Sequence, residues 1–413
     1  MSRFAYLIMV NGEENRNNNK FYKMTEQSDG TIAVEYGRVD ATKQTTSYPI
    51  SKWDSLIKSK VKKGYKDITD LVAVEEVIEK TADGKEKVNY ISDDNEVRKL
   101  IEQLQSWAKA TIQQNYKVST SKVTQKMVDT AQDLIDKLTK QYKDNEDYKI
   151  LNKTILEIYT TIPRRMSDVK SYLLKSNDKK EIESLIDNEQ KLLDTMAGQV
   201  LANKAVQEDE QKEEATNKPN SLLEQLGLEI KYVEDKDVLY KISKMMGDSS
   251  HLMGKVYEVT NIKTEERYIK TFYADKNSKE DLLWHGSRNQ NWFNILQTGL
   301  LIRPSGAIYT GSMFSDGLYF ANKARKSIGY TSLSGSYWAG GNNSKSLLAI
   351  FKVNVGNQKH IYKHDSSCYN ITEKNLLPYN SVYAHGGADL RNDEFIVYNP
   401  NRCTIKYLVE IRK

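Results

Sequence analysis

The chain has 413 residues and carries 61 Lys and Arg against 56 Asp and Glu, a net charge of +5. That length leaves room for two to four domains, each able to bury its own core. No apolar run approaches the length that crosses a bilayer, and Met1-Ser2-Arg3-Phe4-Ala5 lacks the apolar block of a secretory signal. An intracellular protein with no membrane partner is therefore expected, nuclear in a eukaryotic cell and cytoplasmic in a bacterial or viral setting. Two cysteines, Cys368 and Cys403, give no disulfide framework, and with five scattered histidines they exclude cysteine-rich zinc modules, so no metal is expected. The charge is uneven. Residues 1–66 hold 12 basic against 7 acidic side chains, residues 282–413 hold 15 against 7, and the middle holds 34 against 42. Ordinary solvated surface and basic ends that meet polyanions both fit this pattern.

Taken in order, Tyr6–Val10, Lys20–Met24 and Thr31–Val39 read as strands, with a turn at Ser28-Asp29-Gly30. Ser51 to Lys63 reads as a helix carrying Trp53, Leu56 and Ile57. Residues 71–93 read as a polar connector with a hairpin around Ala82-Asp83-Gly84. Four helices follow from their apolar spacing. The first has Val97, Leu100, Ile101, Leu104, Trp107, Ala108 and Ile112. After a serine-rich break at 119–121 the second has Met127 to Leu138, the third has Leu151 to Ile162 ended by Pro163, and the fourth has Ile182 to Val200. Glu208 to Glu214, followed by Asn217-Lys218-Pro219, reads as a solvated linker. Leu228–Val233 and Val256–Val259 read as strands around a helix near Asp237 to Met246. From 283 on, short apolar runs separated by Gly, Asn and Ser indicate a mixed domain rich in antiparallel strands. The expected class is multidomain α+β: a small β-rich domain, a helical bundle and a mixed α/β domain with mainly antiparallel sheets.

Three short apolar segments carry the chemistry. They are Leu282-Leu283-Trp284-His285-Gly286-Ser287-Arg288, Gly317-Leu318-Tyr319-Phe320-Ala321 and Asn392-Asp393-Glu394-Phe395-Ile396-Val397-Tyr398. A His, a Tyr and a Glu on separate strands, two beside Gly, suit a flat ligand clamped between strands with a carboxylate at its sugar. Phosphate-cradling Gly-Lys-Ser/Thr loops, a Rossmann glycine fingerprint and metal-ligand clusters are not found. The His-Tyr-Glu set, with Ile295-Leu296, Gly299-Leu300, Met313-Phe314, Lys326-Ser327 and Tyr330 in order, resembles the donor site of the poly(ADP-ribose) polymerase family.

The resemblance implies NAD as substrate, with no prosthetic group. It implies a catalytic set of Glu394, His285 and Tyr319. Glu394 would act at the ribose 2′-hydroxyl and His285 would bond a hydroxyl of the adenosine half. Gly286 would let its backbone approach the nicotinamide amide, and Ser327 would add a hydroxyl there. Tyr330 and Tyr319 would take the two ring faces, Ser287 and Asn291 would lie along the adenosine half, and Lys326 would support the site. His385, in Ala384-His385-Gly386-Gly387, reads as loop. Leu301 stands where relatives often have Arg, and the stretch between Tyr379 and Glu394 is shorter than in long-chain polymerases.

Thr31 to Val39, with Tyr36-Gly37-Arg38, resembles the Trp-Gly-Arg signature of WGR domains, with Tyr in place of Trp. This implies DNA ends or breaks as a partner, met by Tyr36, Arg38, Lys20, Lys23 and Lys43. The implied order is a WGR-like domain at 1–75, a connector with helix at 76–118, a helical regulatory domain at 119–206, an acidic linker at 207–219 and an ADP-ribosyltransferase domain at 220–413. The implied function is DNA-break-stimulated transfer of ADP-ribose to proteins, including itself, and to growing chains, in a DNA damage response. Transfer of a single unit, or a DNA-end-binding scaffold with weak transferase activity, stays open.

Overall fold

The computed structural model describes residues 3–12, 16–39, 41–71, 90–116, 123–213, 221–302 and 313–413. The expected hairpin at 82–84 and the break at 119–121 lie outside them. The chain forms two compact units, one of residues 1–87 with 110–200 and the other of residues 88–109 with 201–413.

The first unit opens with β1 (Phe4–Asn11), β2 (Asn18–Glu26), β3 (Thr31–Arg38) and β4 (Gln44–Pro49), followed by α1 (Trp53–Lys62) and the short β5 (Lys66–Asp67). They make an antiparallel sheet in the order β4-β3-β2-β1-β5. Alternation places Ala5, Leu7, Tyr22, Met24, Ile32 and Val34 on one face, where Trp53 of α1 completes a buried cluster. Then come α2 (Asn95–Asn115), α3 (Gln125–Lys143), α4 (Tyr148–Thr161) and α5 (Lys179–Glu213), of which residues 95–109 of α2 and 201–213 of α5 count with the second unit. Thr124 caps α3 and Asp147 caps α4, each accepting from a backbone N–H of the first turn. α4 ends just before Pro163, as its sequence demands, and packs against β1.

Two features depart from the sequence reading. The acidic stretch from 207 is helical through Glu213, as the C-terminal part of α5, because Glu, Gln and Lys are good helix formers even without an apolar stripe. Residues 88–109 belong with the second unit: Ile91, Val97, Leu100, Ile101 and Leu104 lie in the same buried cluster as Leu228, Tyr257 and Leu408, and Glu96 pairs with Lys255. The first half of α2 is thus core to the unit that follows it, rather than connector.

The second unit continues through α6 (Leu222–Leu226), β6 (Leu228–Tyr232), α7 (Lys236–Met246), β7 (Met253–Asn261), α8 (Ile262–Ala274), β8 (Glu280–Gly286), α9 (Trp292–Thr298), β9 (Leu318–Phe320), α10 (Ala324–Ile328), β10 (Lys345–Asn354), β11 (Gln358–Ile361), β12 (Ser381–Ala384), β13 (Glu394–Val397) and β14 (Cys403–Arg412). A Ser221–Glu224 capping box starts α6, and Gly227, at φ +67°, ends it. Two sheets result, in the orders β6-β7-β14-β10-β8 and β11-β12-β13-β9. Every pairing is antiparallel except β11 with β12. β10 and β14 are central and buried on both faces, which is why Leu347 to Phe351 is a continuous apolar run. Both cysteines are free and buried. Among the described residues no helix is long and apolar enough to cross a membrane.

Candidate active site

The two sheets of the second unit meet at one bridge. Trp284 of β8 donates its N–H to the Ala321 carbonyl at 2.8 Å, and Ala321, just beyond β9, returns the bond at 2.9 Å. His285 follows Trp284. Tyr319 lies two residues before Ala321, paired with Ile396 of β13, and Glu394 begins β13 one residue before the Phe395–Phe320 pair. The bridge thus gathers the strands bearing His285, Tyr319 and Glu394 at a single seam between sheets.

His285 is half-buried among the rings of Trp292, Phe320 and Phe351. Its Nδ1 lies 3.0 Å from the Tyr319 carbonyl, which can only accept, so the ring proton sits on Nδ1. Burial lowers the His285 pKa, with the Tyr319 carbonyl opposing. The imidazole is therefore neutral at pH 7, and Nε2 keeps a lone pair for a hydroxyl donor.

Tyr319 uses both functions of its hydroxyl: it donates to the Ser315 carbonyl at 2.7 Å and accepts from the Phe314 N–H at 3.0 Å. Burial pushes its pKa up over the opposing Phe314 N–H, and the Glu394 charge adds to the rise. Its ring face, not its proton, is what it offers a ligand. Tyr330 is more exposed, and burial followed by the Glu394 charge pushes its pKa up to about 12. Its ring lies parallel to Trp338, with centroids 6.1 Å apart.

Gly286 is a packing requirement. A Cβ there would stand 1.9 Å from the Ser327 carbonyl oxygen, so α10 can dock on β8 only without a side chain. The Ser327 hydroxyl donates to the Trp284 carbonyl at 3.1 Å and keeps acceptor capacity. Ser287 and Asn291 bond each other, Nδ2 to Oγ at 3.0 Å, and the buried Asn291 Oδ1 has no partner among the described residues. Leu301 is exposed.

Glu394 is buried, and its side chain forms an ion pair with Lys326 of α10. The Lys326 ammonium also reaches the Asp393 carbonyl at 3.4 Å. Burial lowers the Lys326 pKa while the Glu394 charge holds it up. The pair puts a carboxylate with a fixed direction at the seam, suited to a cationic centre or a ribose hydroxyl. The sequence reading did not find Asp393 or Trp338, and it left His385 as loop. His385 Nε2 lies 2.8 Å from His360 Nδ1, and its ring stacks between Tyr362 and Tyr383.

In the first unit the proposed DNA-facing residues are spread along β2 and β3, with Lys43 just before β4. Tyr36 lies beside Tyr22, with the Lys60 ammonium 3.9 Å from the Tyr22 ring centre and 5.9 Å from that of Tyr36. Lys20 is exposed, Lys23 lies over the Phe4 ring and Lys43 pairs with Glu35 at 2.5 Å. Arg38 points elsewhere. Its guanidinium donates to Asn17 O at 2.8 Å, Asn17 Oδ1 at 2.9 Å, Ser167 O at 2.6 Å and Met166 O at 3.4 Å. It ties β3 to the segment after α4.

Comparison with known proteins gives a consistent family. The model of the poly(ADP-ribose) polymerase catalytic domain matches residues 234–413. The poly(ADP-ribose) polymerase-like protein 100L of Invertebrate iridescent virus 6 is 33% identical over 211 residues, which is 50% of this chain and 99% of the viral protein. Human poly(ADP-ribose) polymerase 2 is 32% identical over 32% of this chain and 26% of its own length. Zebrafish poly(ADP-ribose) polymerase 1 is 24% identical over 72% of this chain and 31% of its own length.

Proposed function

This chain belongs to the poly(ADP-ribose) polymerase family and is an NAD+ ADP-ribosyltransferase, and we propose that it transfers ADP-ribose to protein acceptors, itself among them, and to growing chains, stimulated by DNA ends or breaks. The observation that carries the transferase assignment to residues is Glu394, buried against Lys326 on the strand that pairs with Tyr319. In this reading Tyr319 and Tyr330 hold the nicotinamide ring, and Gly286 and Ser327 meet its carboxamide. Neutral His285 accepts from an adenosine ribose hydroxyl at Nε2. The glycosidic bond to nicotinamide breaks with positive charge growing on the ribose, and the fixed carboxylate of Glu394 stabilises that charge. The same carboxylate orients the acceptor hydroxyl.

DNA dependence rests on the first unit. It has a basic sheet with Tyr36, Lys20, Lys23 and Lys43, and Arg38 acts as its anchor to the helices rather than as a phosphate ligand. The zebrafish relative aligns over 326 residues, well beyond the 234–413 match. The test is incubation with labelled NAD, with and without nicked DNA. A ladder that grows with DNA supports the full reading. A single band favours single-unit transfer, which the short stretch between Tyr379 and Glu394 also fits. DNA-end binding with no labelled product would favour the scaffold.

A further inference from the structure

Asp393 precedes Glu394, and its carboxylate is met by three donors from two stretches of chain, the end of β12 with its link and the residues after β9. Tyr383 of β12 donates its hydroxyl to Oδ2 at 3.0 Å, Asn322 donates Nδ2 to the same oxygen at 3.0 Å, and the Gly386 N–H donates to Oδ1 at 2.9 Å. Burial works against its charge, yet these donors hold its pKa below the ordinary carboxylate value. Lys326 adds a further tie through the backbone, holding the Asp393 carbonyl and the Glu394 carboxylate with one ammonium.

The link between β12 and β13 is short, residues 385–393, and folds back on itself. The His385 N–H bonds the Ile361 carbonyl and the Gly387 N–H bonds the Leu390 carbonyl, both at 2.8 Å. A Cβ on Gly386 would stand 3.1 Å from Asn392 backbone atoms. Asp393 closes this link at its end and joins it to Asn322, two residues beyond β9. A residue unable to accept would leave the Gly386 N–H, the Tyr383 hydroxyl and the Asn322 amide without an acceptor, at a site whose next residue carries the transfer chemistry.

We propose that Asp393 is a positioning residue for ADP-ribose transfer: by clasping Tyr383, Asn322 and Gly386 it fixes the direction in which Glu394 leaves the strand. The proposal rests on Glu394 as the carboxylate at the ribose. Misplacing a reacting group by about 1 Å costs on the order of a hundredfold in rate. Asp393→Ala should therefore lower kcat about ten- to a hundredfold, while KM for NAD and the dissociation constant of nicotinamide stay within about twofold because the ring subsite is untouched. Asp393→Asn, which keeps an acceptor oxygen, should recover to within about fivefold of the parent, and Tyr383→Phe should cost about two- to fivefold. The double variant D393A/E394Q should be no slower than E394Q alone, since Asp393 acts only through Glu394. A slow E394Q beside a D393A at the parent's rate overturns the role of Asp393 alone. So does a double variant slower than E394Q by the full D393A factor, or a KM that rises as much as kcat falls. An E394Q at the parent's rate overturns the reading of Glu394 itself.

Discussion

The ion pair of Glu394 with Lys326 lets charge and shape be separated at one residue. Glu394→Gln keeps the side chain's size and loses its negative charge. NAD binding should largely survive, since the proposed ring and adenosine contacts lie on other residues, while chain elongation should be abolished and transfer slowed about a hundredfold or more. Titration of NAD affinity beside product length on a gel checks both parts; product of parental length would remove Glu394 from the mechanism. His285 gives a second prediction, in pH. Its pKa lies below the ordinary 6.5, so where the unfolded chain already binds a proton the folded chain does not. Stability from this group therefore rises with pH through that window and is lost as pH falls below 6.5. NAD affinity should be flat from alkaline pH down to 6.5 and weaken only below it, as Nε2 gains a proton, and His285→Gln should remove that acid limb. Loss of affinity centred above 6.5 would contradict a neutral acceptor. At this scale the strands that bring His285, Tyr319 and Glu394 to one seam were legible, because each residue sits in its own short motif. Asp393 was not: in Asn-Asp-Glu it reads as one more loop acid, and its partners are Asn322, some seventy residues earlier, and the 383–386 stretch. The anchoring of Arg38 was not legible for the same reason, because two of the carbonyls it binds are 128 and 129 residues away.

Elements with an apolar stripe were largely readable in roughly the first 260 residues, while β10 and β14, buried along most of their length, were read only as part of a series of short apolar runs. β1, β2, β3, β6, β7 and α2 to α5 follow from apolar spacing. β4 does not, because Gln-Thr-Thr-Ser-Tyr-Pro is an edge strand with no buried residue and hence no alternation. α8 buries only Thr264 and Tyr268 and leaves Ile262, Ile269 and Tyr273 exposed, so its apolar residues do not mark a core face. The pattern of α2 was plain, but its destination was not: an apolar stripe says that a face is buried, not against what. Leu104 is fully buried in the core cluster of the second unit. Leu104→Ala should destabilise that unit by about 2–5 kcal/mol, the cost of removing a buried leucine and leaving a cavity. Urea unfolding of the full chain, followed by near-ultraviolet circular dichroism with and without nicotinamide, checks this: the ligand-stabilised transition should move. If only the ligand-insensitive transition moves, α2 belongs energetically to the first unit. A chain cut to begin at 207 would lose Val97, Leu100, Ile101 and Leu104 together, so poor behaviour of such a fragment would say nothing about control of the site.

For the whole molecule the question is whether the helices of the first unit restrain transfer until DNA binds. The unit has a built-in point of weakness for testing this. Arg164 and Glu189 form an ion pair with both side chains buried, the guanidinium 4.1 Å from the Tyr116 ring centre, and the Tyr159 hydroxyl lies 3.4 Å from Glu189. Burial raises the Glu189 pKa, with Arg164 opposing. The Arg164 carbonyl accepts from Asn19 of β2 at 3.1 Å, and the next turn of chain is where Arg38 is anchored, so the β-sheet and this buried pair share one segment. If DNA ends meet the sheet as proposed, those contacts would have a short covalent and hydrogen-bonded route to the pair. Removing one partner of such a pair costs about 3–5 kcal/mol, because the other charge is left buried and uncompensated. That is the scale needed to shift a two-state restraint most of the way across. Glu189→Ala should therefore raise the rate of NAD consumption without DNA and flatten its response to nicked DNA, while the rate at saturating DNA stays near that of the parent. Asn19→Ala, which removes one tie between the sheet and this segment without burying a charge, should weaken the DNA response and leave the DNA-free rate low. The assay is nicotinamide release across a DNA titration, with thermal unfolding run in parallel. If Glu189→Ala lowers the unfolding midpoint and the DNA-free rate stays at the parent's value, loosening these helices does not open the site, and any stimulation by DNA would have to reach the transferase unit by another route.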